Sequence, residues 1–162
     1  MRNVTNRAEI FIIKDDKIVV GKTKDGKYIL PGGKIEDGEG PEHAVKREAL
    51  EEIGVKVNNV RFLGRKVINY NQKDHMKVDG DYKTKLEYKD GTNTFYYVGD
   101  YAGRNKAILG ADEPKDTFKP IAISRNTLRK DIENQIKRYE GSESERWRTN
   151  YLTYQLTLLQ SI

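Results

Sequence analysis

The stretch from Gly32 to Val55 constrains this chain more than any other. A short apolar strand, Tyr28-Ile29-Leu30, is stopped by Pro31 and two glycines, and a run without internal breakers follows from Pro41 to Ile53. Proline suits a first helical position and Gly54 the residue just past the end, so the pattern predicts a helix over 41–53. Val45, Ala49 and Ile53 recur at i+4 spacing and form its buried side. Glu48, Glu51 and Glu52 stand at i, i+3 and i+4, which puts three carboxylates on one face within little more than a turn.

Like charges at that spacing repel by a few tenths of a kcal/mol even when exposed. A cation is the usual remedy where they converge. Oxygen donors without histidine or cysteine point to Mg2+ or Mn2+ rather than zinc. The glycine loop lets the backbone approach a ligand closely, and a carbonyl there would complete a metal's coordination. Arg47 is placed to fork onto Glu51 four residues on and hold it. A cluster of this kind suits metal-assisted phosphoryl hydrolysis, with a glutamate taking the proton of the attacking water.

The segment resembles the Nudix box, Gly-x5-Glu-x7-Arg-Glu-U-x-Glu-Glu-x-Gly-U, where U is aliphatic. Gly33, Glu39, Arg47, Glu48, Ala49, Glu51, Glu52, Gly54 and Val55 fill it, with Ala49 a small occupant of the first aliphatic slot. At ordinary residue usage a chance match is on the order of one in ten million. The resemblance implies an α+β chain with a Nudix-like α/β/α sandwich, a mixed β-sheet and an additional C-terminal helix. It implies that Glu48, Glu51 and Glu52 bind the divalent ions with the Gly32 carbonyl helping. The general base stays open between Glu48, Glu51 and a residue outside the box. Glu39 stands among the substrate-contacting candidates, although bracing the loop by hydrogen bonds is its commoner role.

Outside the box the pattern reads as one domain over residues 1–162. Ala8 to Val20 makes a hairpin around Asp15-Asp16-Lys17, and Val55 to Tyr70, Thr94 to Val98 and Phe118 to Ile123 read as strands. Residues 71–91 form a polar, basic insert or long hairpin. Asn126 to Tyr139 and Glu143 to Leu159 read as helices broken near Gly141-Ser142, the last reaching to about residue 160. In that last helix Trp147, Tyr151, Tyr154 and Leu158 fall on one side, a set read as core or dimer contacts, so a homodimer is an expectation.

The chain contains no cysteine, which excludes disulfides, thiolate catalysis and cysteine-type zinc sites. No apolar run approaches a membrane span, and Met1 to Arg7 has no signal core, so a cytoplasmic protein is expected. A net charge of +5 favours polyanionic partners. Further substrate contacts are sought at Tyr70, near where dinucleoside-polyphosphate members of the family carry a tyrosine, and at Asp112, Glu113 and Asp116. The expected substrate is a nucleoside diphosphate linked to another group. The alternatives are an RNA 5′ end, gripped by the lysines and tyrosines of the insert, and a nucleotide-sensing regulator that performs no chemistry.

Overall fold

The computed structural model describes residues 4–69, 91–105 and 118–162. Period-two burial builds the centre of the sheet. In β1 (Val4–Lys14), Ala8, Ile10 and Ile12 pack to one side and Phe11 and Ile13 to the other. A two-residue turn leads into β2 (Lys17–Lys22), with Lys14 opposite Lys17 and Asp15 at φ 56, a left-handed conformation that aspartate tolerates. β3 (Tyr28–Ile29) pairs with β2, and β4 (Gly32–Lys34) returns along the first half of β1.

The helix α1 spans Pro41–Ile53, the bounds read from the sequence. Gly54 ends it at φ 65, ψ 29, donating to the carbonyls of Ala49 and Leu50. β5 (Val55–Asn69) and β6 (Gly91–Arg104) follow, then β7 (Lys119–Ser124), α2 (Arg125–Tyr139) and α3 (Arg146–Leu159). Ser124 caps α2 by accepting from the Thr127 N–H at 3.0 Å. The last helix is shorter than its pattern suggests, because Glu143–Glu145 forms a separate 3-10 turn after Gly141 at φ 81.

Among the described residues seven strands form one mixed sheet of order β3-β2-β1-β6-β5, with β4 on β1 and β7 on β2. β1 and β6 run parallel from Val4↔Gly91 to Ile13↔Asp100, and the other pairings are antiparallel. α1 covers one face through Ala44, Val45, Ala49 and Ile53, packed on Ile10, Ile12, Val55 and Val57. α2 and α3 cover the other through Leu128, Ile132, Leu152 and Leu158, packed on Phe11, Val20, Tyr96 and Val98. Tyr151, Tyr154 and Leu158 thus face the sheet of their own chain. Gly64 on β5 lets α3 come close, since a Cβ there would collide with the Tyr154 hydroxyl. Among the described residues no helix is long and apolar enough to cross a membrane.

Candidate active site

Strand β4 is where the two sides of the sandwich meet. Its residues oppose Arg7, Ala8 and Glu9 of β1, and α1 lies across it. Neither Gly32 nor Gly33 tolerates a side chain. A Cβ on Gly32 would sit 2.6 Å from the Cγ and 2.8 Å from the Cα of Glu9, and one on Gly33 would sit 2.6 Å from the Cδ of Glu48. The bare backbone lets the α1 carboxylates reach the strand, and Glu52 Oε1 accepts from the Gly32 N–H at 2.7 Å.

Arg47 organises the remaining acids. Its fork closes on Glu39, from Nε to Oε2 at 2.8 Å and from Nη2 to Oε1 at 2.9 Å. Nη1 donates to Glu48 Oε1 and to Glu51 Oε2, each at 3.0 Å, and Nη2 also donates to the Lys34 carbonyl. The sequence pattern placed the fork on Glu51. Glu39 takes it instead because its carboxyl is only 7% exposed, against 49% for Glu51, and offers both oxygens to the guanidinium plane. Glu39 also accepts from the Glu36 N–H and meets the exposed ring of His43 at 2.7 Å, so both of its oxygens are engaged within the loop. Arg47, then the loop amide and His43, hold the Glu39 carboxyl down at about 2.

The metal candidates divide. Burial pushes the Glu52 carboxyl up to about 8, opposed by the Gly32 N–H and reinforced by the charges of Glu48 and Glu9. Burial also raises Glu48, against the pull of Arg47. Among the described residues no three acidic or histidine side chains converge tightly enough to hold an ion as arranged here. Arg47 draws Glu48 and Glu51 toward itself while Glu52 is bound to Gly32. The donor chemistry nonetheless fits a hard divalent ion: Glu48, Glu51 and Glu52 bring carboxyl oxygens to one helix face. Tyr70, Asp112, Glu113 and Asp116 lie outside the described residues, as do residues 71–90 of the basic insert. The flanks of 106–117 are anchored at the end of α1, Asn105 N–H to the Gly54 carbonyl and Phe118 N–H to the Glu52 carbonyl, each at 2.8 Å.

On the other side of β4 lies a cavity of about 320 Å³ that the sequence pattern did not single out. Arg7, Glu9, Thr92 and Thr94 form its sheet side, and Tyr139, Trp147, Arg148 and Tyr151 its helix side. Glu9 is 4% exposed and accepts from the Tyr151 hydroxyl at 2.5 Å and from Gln155 Nε2 at 3.1 Å. Burial raises its carboxyl, and Tyr151 and Arg7 oppose the rise. The Arg148 guanidinium lies 4.7 Å from the Trp147 ring centre and 5.2 Å from that of Tyr139. Trp147 therefore lines a cavity, where its spacing had suggested core or dimer packing. The signal for this site was an acid inside the apolar run from Ala8 to Ile13 of β1.

Residues 3–137 match the model of the NUDIX domain. The chain belongs to the Nudix family. Similar curated proteins include an 8-oxo-dGTP diphosphatase of Buchnera aphidicola, 40% identical over 64 residues covering 36% of this chain and 49% of that protein. A putative 8-oxo-dGTP diphosphatase of Bacillus subtilis is 29% identical over 119 residues, 67% of this chain and 72% of that protein. The chain spans 49%, 31% and 44% of the length of the first three curated relatives it matches. Among solved structures, a Nudix hydrolase from Nitrosomonas europaea aligns with TM-score 0.53 at 20% identity over 78% of this chain and 76% of that one, a likeness of fold. Nudix hydrolases generally use divalent metal ions. In this Nudix chain, Arg47 and the glycine strand arrange the box acids on one side of β4, and Glu9 and Arg7 begin the cavity on the other.

Proposed function

We propose that this chain hydrolyses a pyrophosphate bond in a nucleoside diphosphate linked to another group, using Mg2+ or Mn2+ on Glu48, Glu51, Glu52 and the Gly32 carbonyl. One observation carries the reading: Glu9, on the cavity wall, is the direct register partner of Gly32, whose N–H is bonded to Glu52. The cavity and the acidic helix face are separated by a single strand pair. The nucleoside occupies the cavity, and its phosphates cross β4 to the carboxylates. Arg7 sits at that crossing, two residues before Glu9, and its charge is felt by Glu9, Glu48 and Glu52. It meets the phosphate chain there.

The divalent ion, when bound, neutralises phosphate oxygens and lowers the pKa of water. The protein's own groups orient and move protons. Glu39 and Arg47 set the positions of Glu48 and Glu51, which supply the acceptor for the proton of the attacking water. Tyr139 and Trp147 offer aromatic walls to a base. The protein acts on a small-molecule nucleotide and works in the cytoplasm. The single-domain organisation of 1–162 and self-association of the chain belong to the same reading.

The test is release of phosphate or pyrophosphate from nucleoside triphosphates, dinucleoside polyphosphates, nucleotide sugars, ADP-ribose and triphosphorylated RNA, with Mg2+ or Mn2+, beside Glu52→Gln. Turnover on one class that disappears in the variant supports the reading and names the substrate. Turnover confined to RNA establishes the RNA-end alternative. Nucleotide binding without turnover on any class refutes the hydrolase in favour of the regulator.

A further inference from the structure

Gly32 stands opposite Glu9 without a ladder hydrogen bond of its own. The Ile10 N–H donates to the Pro31 carbonyl at 3.0 Å and the Ile35 N–H to the Asn6 carbonyl at 2.8 Å. Hydrogen-bonded pairs alternate along an antiparallel ladder, so the Glu9–Gly32 pair falls between bonded ones. Both backbone polar groups of Gly32 therefore point away from β1. Glu52 Oε1 takes the N–H, and the carbonyl opens on the same edge. What sets Gly32 against β1 is contact: a Cβ on it would lie 2.6 Å from the Glu9 Cγ, so the Glu9 side chain fills the space beside the glycine. That side chain is fixed at its far end. The Tyr151 hydroxyl and Gln155 Nε2 donate to its two oxygens from α3, and the buried Tyr96 hydroxyl of β6 is a third donor. An apolar residue would fill the same space at a smaller desolvation cost. A carboxylate held by three donors has one position, and so has the Cγ that meets Gly32.

We propose that Glu9 is a positioning residue: pinned by α3 and β6, it fixes the backbone of Gly32 so that the carbonyl is presented to a divalent ion beside the α1 carboxylates. The inference rests on the reading of Gly32, Glu48, Glu51 and Glu52 as the metal site. Glu9 acts through Gly32 and is not itself a ligand. The chain of contact runs from Tyr151 and Gln155 to the Glu9 carboxylate, from the Glu9 Cγ to Gly32, and from the Gly32 N–H to Glu52. Groups that orient a metal ligand typically change metal affinity by about 10- to 100-fold when they are removed.

Mn2+ binding to the metal-free chain, read from the EPR signal of free Mn2+ well below the melting temperature, tests this without turnover. Glu52→Gln should abolish the binding and so locate it. Tyr151→Phe and Gln155→Leu each remove one donor and leave the charge of Glu9 in place, and Gln155 lies outside the cavity lining. Each is expected to weaken Mn2+ binding about 10-fold. Glu9→Ala should weaken it at least as much. Glu9→Gln keeps the shape and lets Gln155 turn its amide oxygen to accept, so its affinity stays close to the wild type. Unchanged affinity in Tyr151→Phe and Gln155→Leu overturns the proposal and leaves Glu9 as a tie between β1 and α3 that moves only the melting temperature. Equal losses in Glu9→Gln and Glu9→Ala overturn it too, since the lost charge then accounts for the effect. Either result removes the proposal alone. Binding that survives Glu52→Gln, or is absent from the wild type, overturns the metal reading and the proposal together.

Discussion

Gly32 and Gly33 are neighbours in sequence, yet alanine at each is expected to fail in a different way. At position 32 the added Cβ meets the backbone of β1, at 2.8 Å from the Glu9 Cα and closer to the Ala8 carbonyl oxygen. Backbone cannot yield there without opening the pairing that holds β4 on β1. Such overpacking costs about 1–3 kcal/mol, or about 2–12 °C of Tm in a chain of this size. At position 33 the Cβ meets the end of the Glu48 side chain, which can swing away. Gly33 is not in the left-handed region, so alanine also restricts the unfolded chain, an opposing effect of about 0.4–1 kcal/mol. Arg47 keeps its bonds to Glu39 and Glu51. Gly33→Ala should therefore melt close to the wild type. Its Glu48 carboxyl, however, is displaced by roughly 1 Å, which costs on the order of 100-fold in kcat. Thermal unfolding beside turnover of the substrate found by the panel separates the two variants. Full activity in Gly33→Ala, or a melting point below that of Gly32→Ala, would refute the reasoning.

Arg47→Lys keeps the charge but loses the fork, leaving the Glu39 carboxylate nearly buried and poorly matched; a loss of about 2–4 kcal/mol in urea unfolding is expected, with lower kcat as Glu48 and Glu51 lose their anchor. Glu39 is depressed in the folded state from its ordinary 4.5 to about 2, so the stability it contributes is present above pH 4.5 and is lost as pH falls toward 2. Acid unfolding followed by circular dichroism should accordingly show a shallower decline across that window in Glu39→Gln than in the wild type; identical slopes would contradict the assignment. Leu158→Ala, a truncation at a site 7% exposed between α3 and the sheet, should cost about 2–4 kcal/mol with little change in KM.

Legibility followed the physics of each signal. α1 could be read to the residue because Pro41 and Gly54 act locally, one through its fixed φ and the other through a left-handed conformation, and neither depends on tertiary context. The β1–β2 hairpin was legible for the same reason, through alternation and a two-residue turn. The parallel pairing of β1 with β6 was not, since it joins residues some 87 apart and leaves no local trace. The box acids announced themselves by spacing, but the partner of the Arg47 fork did not. That choice depends on Glu39 folding back over eight residues into a nearly closed loop. The cavity was the least visible feature. Trp147 has the i+4 spacing of a core residue, and helical periodicity cannot distinguish a side chain that fills space from one that borders it. Glu9 was a discordant letter, an acid within the otherwise apolar run from Ala8 to Ile13 of β1. A residue that breaks the local pattern at a buried position, and is then held by two donors from a distant helix, marks where folding and function make different demands.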